Sequence, residues 1–118
     1  VEEWRISTIL RANSRTAQVF QGCFASDQLP SPSTLQYPAV FIVNRDSHRK
    51  EGSHWCAIYG KGLDTPALYY DSLAQPIPAA IVSSFLNKFT EGIKKNIHPY
   101  QSLGSGFLGF NVFFADRV

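Results

Sequence analysis

The apolar residues of this chain come in short runs whose spacing shifts from helical to strand-like and back. Over residues 2–12, Trp4, Ile6, Ile9 and Leu10 fall near one helical face, and Asn13-Ser14 ends the pattern. From Phe20 to Pro38 turn formers dominate (Asp27, Pro30, Ser31, Pro32, Pro38), which predicts a short extended piece and a long loop. Ala39–Asn44 is an unbroken apolar run rich in β-branched residues, as in a strand covered on both faces. A polar loop, Arg45–Gly52, leads to a second strand from Ser53 to Tyr59. The turn-rich Gly60-Lys61-Gly62 and Asp64-Thr65 are short enough to make a hairpin with a third strand, Ala67–Asp71.

Pro78 opens a predicted helix whose apolar positions Ile81, Phe85, Leu86, Phe89 and Ile93 keep the helical period. Gly92 weakens that helix near its end, where Lys94-Lys95 complement the C-terminal dipole. Ile97–Gln101 reads as a short edge strand interrupted by Pro99, and Ser102–Gly106 as a loop. Leu108–Ala115 reads as a buried helix with Phe107, Phe110, Val112, Phe113 and Phe114 as bulk, although periodicity alone fits a strand equally well. Neither a repeat nor a break in composition divides the chain. The expected fold is a single α+β domain over residues 1–118, with a small central mixed sheet flanked by helices.

Composition narrows the class. A chain of 118 residues fits one domain with a real core, and 44% hydrophobic against 17% charged residues is the balance of a globular protein. The formal charge of +2, with no basic stripe, argues against nucleic acid as a partner; the run His48-Arg49-Lys50 is answered at once by Glu51 and reads as a solvated loop. No apolar stretch reaches the roughly 18 residues of a membrane span, and the N-terminus lacks the regions of a signal peptide, so a non-secreted protein in a reducing compartment is expected. The absence of methionine, even at position 1, leads us to expect a piece of a larger precursor. Cys23 and Cys56 could pair if the fold allowed, but they form neither a disulfide framework nor a metal site, and no metal or cofactor is expected.

The candidate chemistry lies in Ser53-His54-Trp55-Cys56, in Tyr69-Tyr70-Asp71 and in Gln101. An imidazole can take a proton from a thiol or hydroxyl, a carboxylate can orient it and stabilise its cation, and a side-chain amide can donate to a developing oxyanion. His54, Asp71 and Gln101 are candidates for those three roles. Taken alone, His54 is a packed strand residue, Asp71 a strand-end carboxylate and Gln101 a surface amide. Cys56, two residues after His54 on a strand, should project to the same side, either as a thiol near the imidazole or as a small buried apolar residue. Cys23 reads as a free thiol in the loop-rich region. His48 and His98 have no partners at informative spacing.

In this order the residues resemble the adenovirus-protease and Ulp1-type (SUMO-protease) cysteine peptidases, including those of viruses and large DNA transposons. Phe20-Gln21-Gly22 with Asp27, Leu29 and Pro30 is similar to the substrate-side loop of that family, and Pro38–Asn44 to the strand before its catalytic histidine. Gly52-Ser53-His54-Trp55 is similar to its histidine-tryptophan signature, Leu68–Ser72 to the strand ending in the catalytic acid, and Tyr100-Gln101-Ser102 to the segment with the oxyanion glutamine. The resemblance implies a papain-like (adenain/Ulp1-type) core, with His54, Asp71 and Gln101 as catalytic-type positions and Trp55, Gly22 and Asp27 on the substrate-binding side.

In that family a cysteine opening a buried helix follows the glutamine by six or seven residues, often with a serine three positions before it. Here both spacings fall on Leu108, which has no lone pair to attack with. A competing register places Ser105 as the nucleophile, at the expense of a very short loop after Gln101. The resemblance therefore implies an inactive peptidase-like domain that binds a peptide, a partner subunit or a capsid. The alternative is an active peptidase for a polyprotein or ubiquitin-like precursor, with its nucleophile altered or supplied by Ser105. Either would act inside a cell, in host cytoplasm or nucleus, or in a virion.

Overall fold

The computed structural model describes residues 3–46, 54–71 and 73–97. Its elements run α1 (Glu3–Ala12), a short α2 (Ser14–Ala17), β1 (Phe20–Phe24), β2 (Ala39–Asn44), β3 (Trp55–Gly60), β4 (Ala67–Tyr70), α3 (Ala79–Ser84) and β5 (Ile93–Lys95). Single 3-10 turns lie at Pro32–Thr34 and Leu86–Lys88. The five strands form one mixed sheet in chain order, so the α+β expectation is met at that level. β2–β3 and β3–β4 are antiparallel, while β1–β2 and β4–β5 are parallel. Parallel neighbours cannot be joined by a tight turn, so residues 25–38 and the segment holding α3 are crossovers that return the chain to the same end of the sheet.

The sheet is covered on both faces. On one face Leu10 of α1 packs with Phe20, Val40, Ile42, Ala57, Tyr59, Leu68 and Tyr70. On the other, Ile81, Phe85, Leu86 and Phe89 pack with Ala39, Phe41, Val43, Cys56, Ile58, Ala67 and Tyr69. Alternate residues of β2 thus enter different cores, which is why that strand is apolar from Ala39 to Val43 rather than at every second position. Phe41 meets Phe85 edge-on with ring centroids 5.2 Å apart, joining β2 to the residue that follows α3. The side chains of Trp4, Ile6 and Ile9 lie outside the described set; of the expected α1 stripe, Leu10 is buried as the spacing requires.

The long helix expected from Pro78 onward is corrected. Only Ala79–Ser84 is α-helical, Phe85 leaves helical geometry (φ −135°, ψ −60°), and Leu86–Lys88 is a 3-10 turn. Gly92 then takes a φ of +84°, a left-handed conformation that ends any helix and that glycine adopts without steric cost. Ile93, Lys94 and Lys95 therefore belong to β5, paired with Ala67, Leu68 and Tyr69, and not to a helix C-terminus. The apolar period survives the change because Phe85, Leu86 and Phe89 still fill the same core. Among the described residues β5 is the edge beside β4, and Ile97, where an edge strand was expected to begin, is 77% exposed and outside any strand. The expectations for Pro99–Gln101, for the 102–106 loop and for Leu108–Ala115 lie outside the described residues.

Candidate active site

The β2–β3 register determines what meets at one end of the sheet. Asn44 pairs with Trp55, and the ladder continues one step as the Arg45 N–H donates to the His54 carbonyl at 3.1 Å. Arg45 and His54 therefore leave adjacent strands side by side. β4, on the far side of β3, ends at Tyr70, and Asp71 follows at the same end. Three side chains distant in sequence converge there without any element being distorted.

Asp71 is the centre of the cluster, with a fully buried side chain. Its Oδ1 lies 2.6 Å from His54 Nε2 and accepts the Leu73 N–H at 2.8 Å, while Oδ2 accepts from Arg45 Nη1 at 3.1 Å. Burial alone would push the carboxyl pKa up. The hydrogen bonds from His54 and the Leu73 N–H, with the positive charge of Arg45, outweigh it and hold Asp71 below the usual carboxylate value. An ionised carboxylate only accepts, so the His54 nitrogen facing it must carry the proton. In the neutral ring this leaves the lone pair on Nδ1, making Nδ1 the basic atom of a side chain that keeps 23% exposure. The arrangement can hold an imidazole in one tautomer and stabilise its cation, the two services a general base requires from a carboxylate partner.

Further bonds fix the acid from behind. Asn96 is buried and bonds to the Asp71 backbone twice, accepting its N–H at 2.9 Å and donating to its carbonyl at 2.7 Å. Arg45 Nη1 also donates to the Pro76 carbonyl at 2.9 Å, and Lys95 Nζ to those of Ala74 and Gln75 at 3.3 and 3.0 Å. Two cations thereby hold three consecutive carbonyls of the loop after β4. Neither Arg45 nor Asn96 was singled out from sequence.

Cys56 lies on the same face as expected: its sulfur, a His54 ring nitrogen and an Asp71 oxygen are all within 4.8 Å of one another. It is nevertheless a poor nucleophile. Only 2% exposed, its thiol is pushed up to about 12, chiefly by burial, which leaves it protonated at neutral pH. The buried Tyr69 hydroxyl beside it has no conventional hydrogen-bond partner among the described residues, since a thiol is a weak one. Nor does the trio fit a metal ion. Donors around a tetrahedral zinc stand about 3.3 Å apart, given metal–ligand bonds near 2.0–2.3 Å, whereas Nε2 and Oδ1 are in direct hydrogen-bond contact. Arg45 adds a fixed positive charge against Asp71.

The other candidate positions lie elsewhere. Trp55 is half-buried against the α1-side core, on the opposite face of the sheet from Cys56. Gly22 sits in β1 at a register irregularity with φ +130°, and Asp27 is exposed in the turn beyond that strand. Cys23 packs on the α1 side, its sulfur 3.4 Å from Ser7 Oγ, so the sheet separates it from Cys56 and no disulfide joins the two. Gln101, Ser105, Leu108, His48 and His98 lie outside the described residues.

No protein-family model matches the chain, and no curated protein matches it. No helix among the described residues is long and apolar enough to cross a membrane.

Proposed function

We propose that this chain is a catalytically inactive cysteine-peptidase-like domain, of the adenain/Ulp1 type with a papain-like core, that acts by binding a peptide or protein partner. The observation that carries the reading is the His54–Asp71 pair, with Nε2 committed to a buried carboxylate and Nδ1 left as the basic atom. Such an arrangement is costly to maintain in a merely packed histidine, because it buries a charge that needs Arg45, His54 and a backbone N–H to satisfy it. By the resemblance, the spacing after Gln101 would put Leu108 at the nucleophile position, where leucine removes covalent catalysis while leaving a surface able to bind. Cys56 does not replace it, being buried and held in the thiol form.

The test is restoration. The native protein should neither cleave peptides ending in diglycine nor react at position 108 with an electrophilic peptide such as a vinyl sulfone. Leu108→Cys should gain labelling by that probe, and the added substitution His54→Ala should abolish it. Cleavage by the native chain that survives Cys56→Ala and Ser105→Ala but is lost in His54→Ala would overturn the reading.

A further inference from the structure

The backbone of Asp71 is held as tightly as its carboxylate. β4 and β5 run parallel, and their register extends from Ala67↔Ile93 to Tyr69↔Lys95. Beyond that pair the main-chain ladder stops, and the side chain of Asn96 takes its place. A carboxamide carries a donor and an acceptor on one planar group, as a peptide unit does, so it can occupy both the N–H and the C=O of a single residue. Asn96 does this to Asp71, at 2.9 and 2.7 Å, from a buried position. Aspartate would lack the donor, and serine would offer a single oxygen too short for both bonds.

We infer that Asn96 is a positioning residue for the His54–Asp71 pair, setting the Asp71 backbone so that its carboxylate meets His54 and Arg45 together. Asp71 lies just past the end of β4, where no strand partner fixes its backbone. Its carboxylate must nevertheless satisfy donors from three places: Arg45 just after β2, His54 just before β3, and Leu73 in the following turn. A bond of 2.6 Å to a ring held by another strand tolerates a displacement of well under about 1 Å before the pairing is lost. Both Asn96 bonds run to the Asp71 main chain, so the asparagine acts through the backbone. It also joins the acid to β5, and hence to the same segment whose Lys95 holds the loop carbonyls.

The inference rests on reading His54 and Asp71 as an acid–base pair, and its test does not require turnover. In the full chain at neutral pH, the ring 15N resonances of His54 should be widely split, with Nε2 protonated and Nδ1 bare. In Asn96→Ala the splitting should fall by half or more as the ring begins to exchange between tautomers. Ile81→Val, a conservative core change on α3 that removes none of the hydrogen bonds of the pair, should leave it unmoved. Unchanged splitting in a folded Asn96→Ala protein, or an equal change in Ile81→Val, would overturn the role. Where Asn96→Ala does not fold, amide exchange in the native chain decides: protection of the Asp71 N–H at the level of the central strands supports the clamp, and exchange as fast as in an open loop removes it. A splitting that collapses in Asn96→Ala while Leu108→Cys gains no probe labelling would retain the positioning role and defeat the peptidase reading. The reverse pair of results would do the opposite.

Discussion

His54 presents Nε2, not Nδ1, to Asp71, at 2.6 Å from Oδ1. Because Asp71 is ionised, that nitrogen is the donor, and a single tautomer follows from one contact. The Nε2-bound proton should therefore be visible at neutral pH in the NMR spectrum of the native chain, slowed in its exchange by the buried acceptor. A ring found as the Nδ1–H tautomer, or as a rapidly exchanging mixture, would contradict the pairing.

Much of this arrangement was legible in the sequence, and the gaps have physical causes. The β2 run Ala39–Asn44 was bounded as the structure has it, because Ala39–Val43 supplies both cores without an interruption and the first polar residue, Asn44, is also the last of the strand. The projection of Cys56 to the His54 side followed from the two-residue period of a strand. Arg45 was taken as the start of a loop, though the β2–β3 pairing alone would have set it opposite His54 once the register was known. Asn96 carried no such signal. The apolar spacing of Phe85, Leu86, Phe89 and Ile93 favoured a continuous helix, and that reading removed the strand on whose end Asn96 depends.

Acid should weaken the fold through Asp71. Its carboxyl is held below the ordinary value in the folded state, so the unfolded chain binds the proton more readily. This contribution is fully present above the unfolded value, near pH 3.8, and is lost as pH falls through the folded one. Urea midpoints measured from pH 7 to pH 2 should show a steep loss below about pH 4. Asp71→Asn, though less stable at neutral pH, should show a shallower loss. Parallel curves for the two proteins would mean that the acid lability lies elsewhere.

The two thiols should differ sharply in reactivity. Cys56 is buried and pushed up to about 12, so at pH 8 it is almost wholly protonated. Compared with an ordinary cysteine near 8.5, its thiolate population is smaller by roughly 10³-fold, before any steric protection. Iodoacetamide on the native protein should therefore modify Cys23 first, with Cys56 reacting only after denaturant is added. Mass spectrometry of partly labelled protein checks this, and early modification of Cys56 would show that its pocket opens readily.

Gly60 closes β3 where Phe89 and Tyr37 come nearest to the main chain. A Cβ there would lie 2.9 Å from Phe89 Cε2 and 3.1 Å from Tyr37 Cε1. Phe89 is 3% exposed and meets Tyr37 edge-on and Phe85 at a tilt, so the ring has little room to withdraw. Gly60→Ala should cost about 1–3 kcal/mol, as overpacking a filled core does. Denaturant unfolding provides the measurement, and a neutral result would mean that the Phe89 ring repacks freely.

Arg45 offers the sharpest energetic test, because it serves two acceptors from one nitrogen. Its Nη1 pairs with the buried Asp71 carboxylate at 3.1 Å and donates to the Pro76 carbonyl at 2.9 Å. Arg45→Met keeps much of the side-chain volume but leaves Asp71 charged and short of a donor. Removing one member of a buried ion pair costs about 3–5 kcal/mol; the 22% exposure of Arg45 lets water screen the pair, so about 1–3 kcal/mol is expected. Arg45→Lys preserves the charge but not the planar fork, and should fall between native and Met. The decisive measurement is the cycle with Asp71→Asn: once the carboxylate is neutral, the loss of Arg45 should cost less, giving a coupling of about 0.5–3 kcal/mol. Full additivity would show that Arg45 acts through the Pro76 carbonyl alone and that the acid does not depend on it.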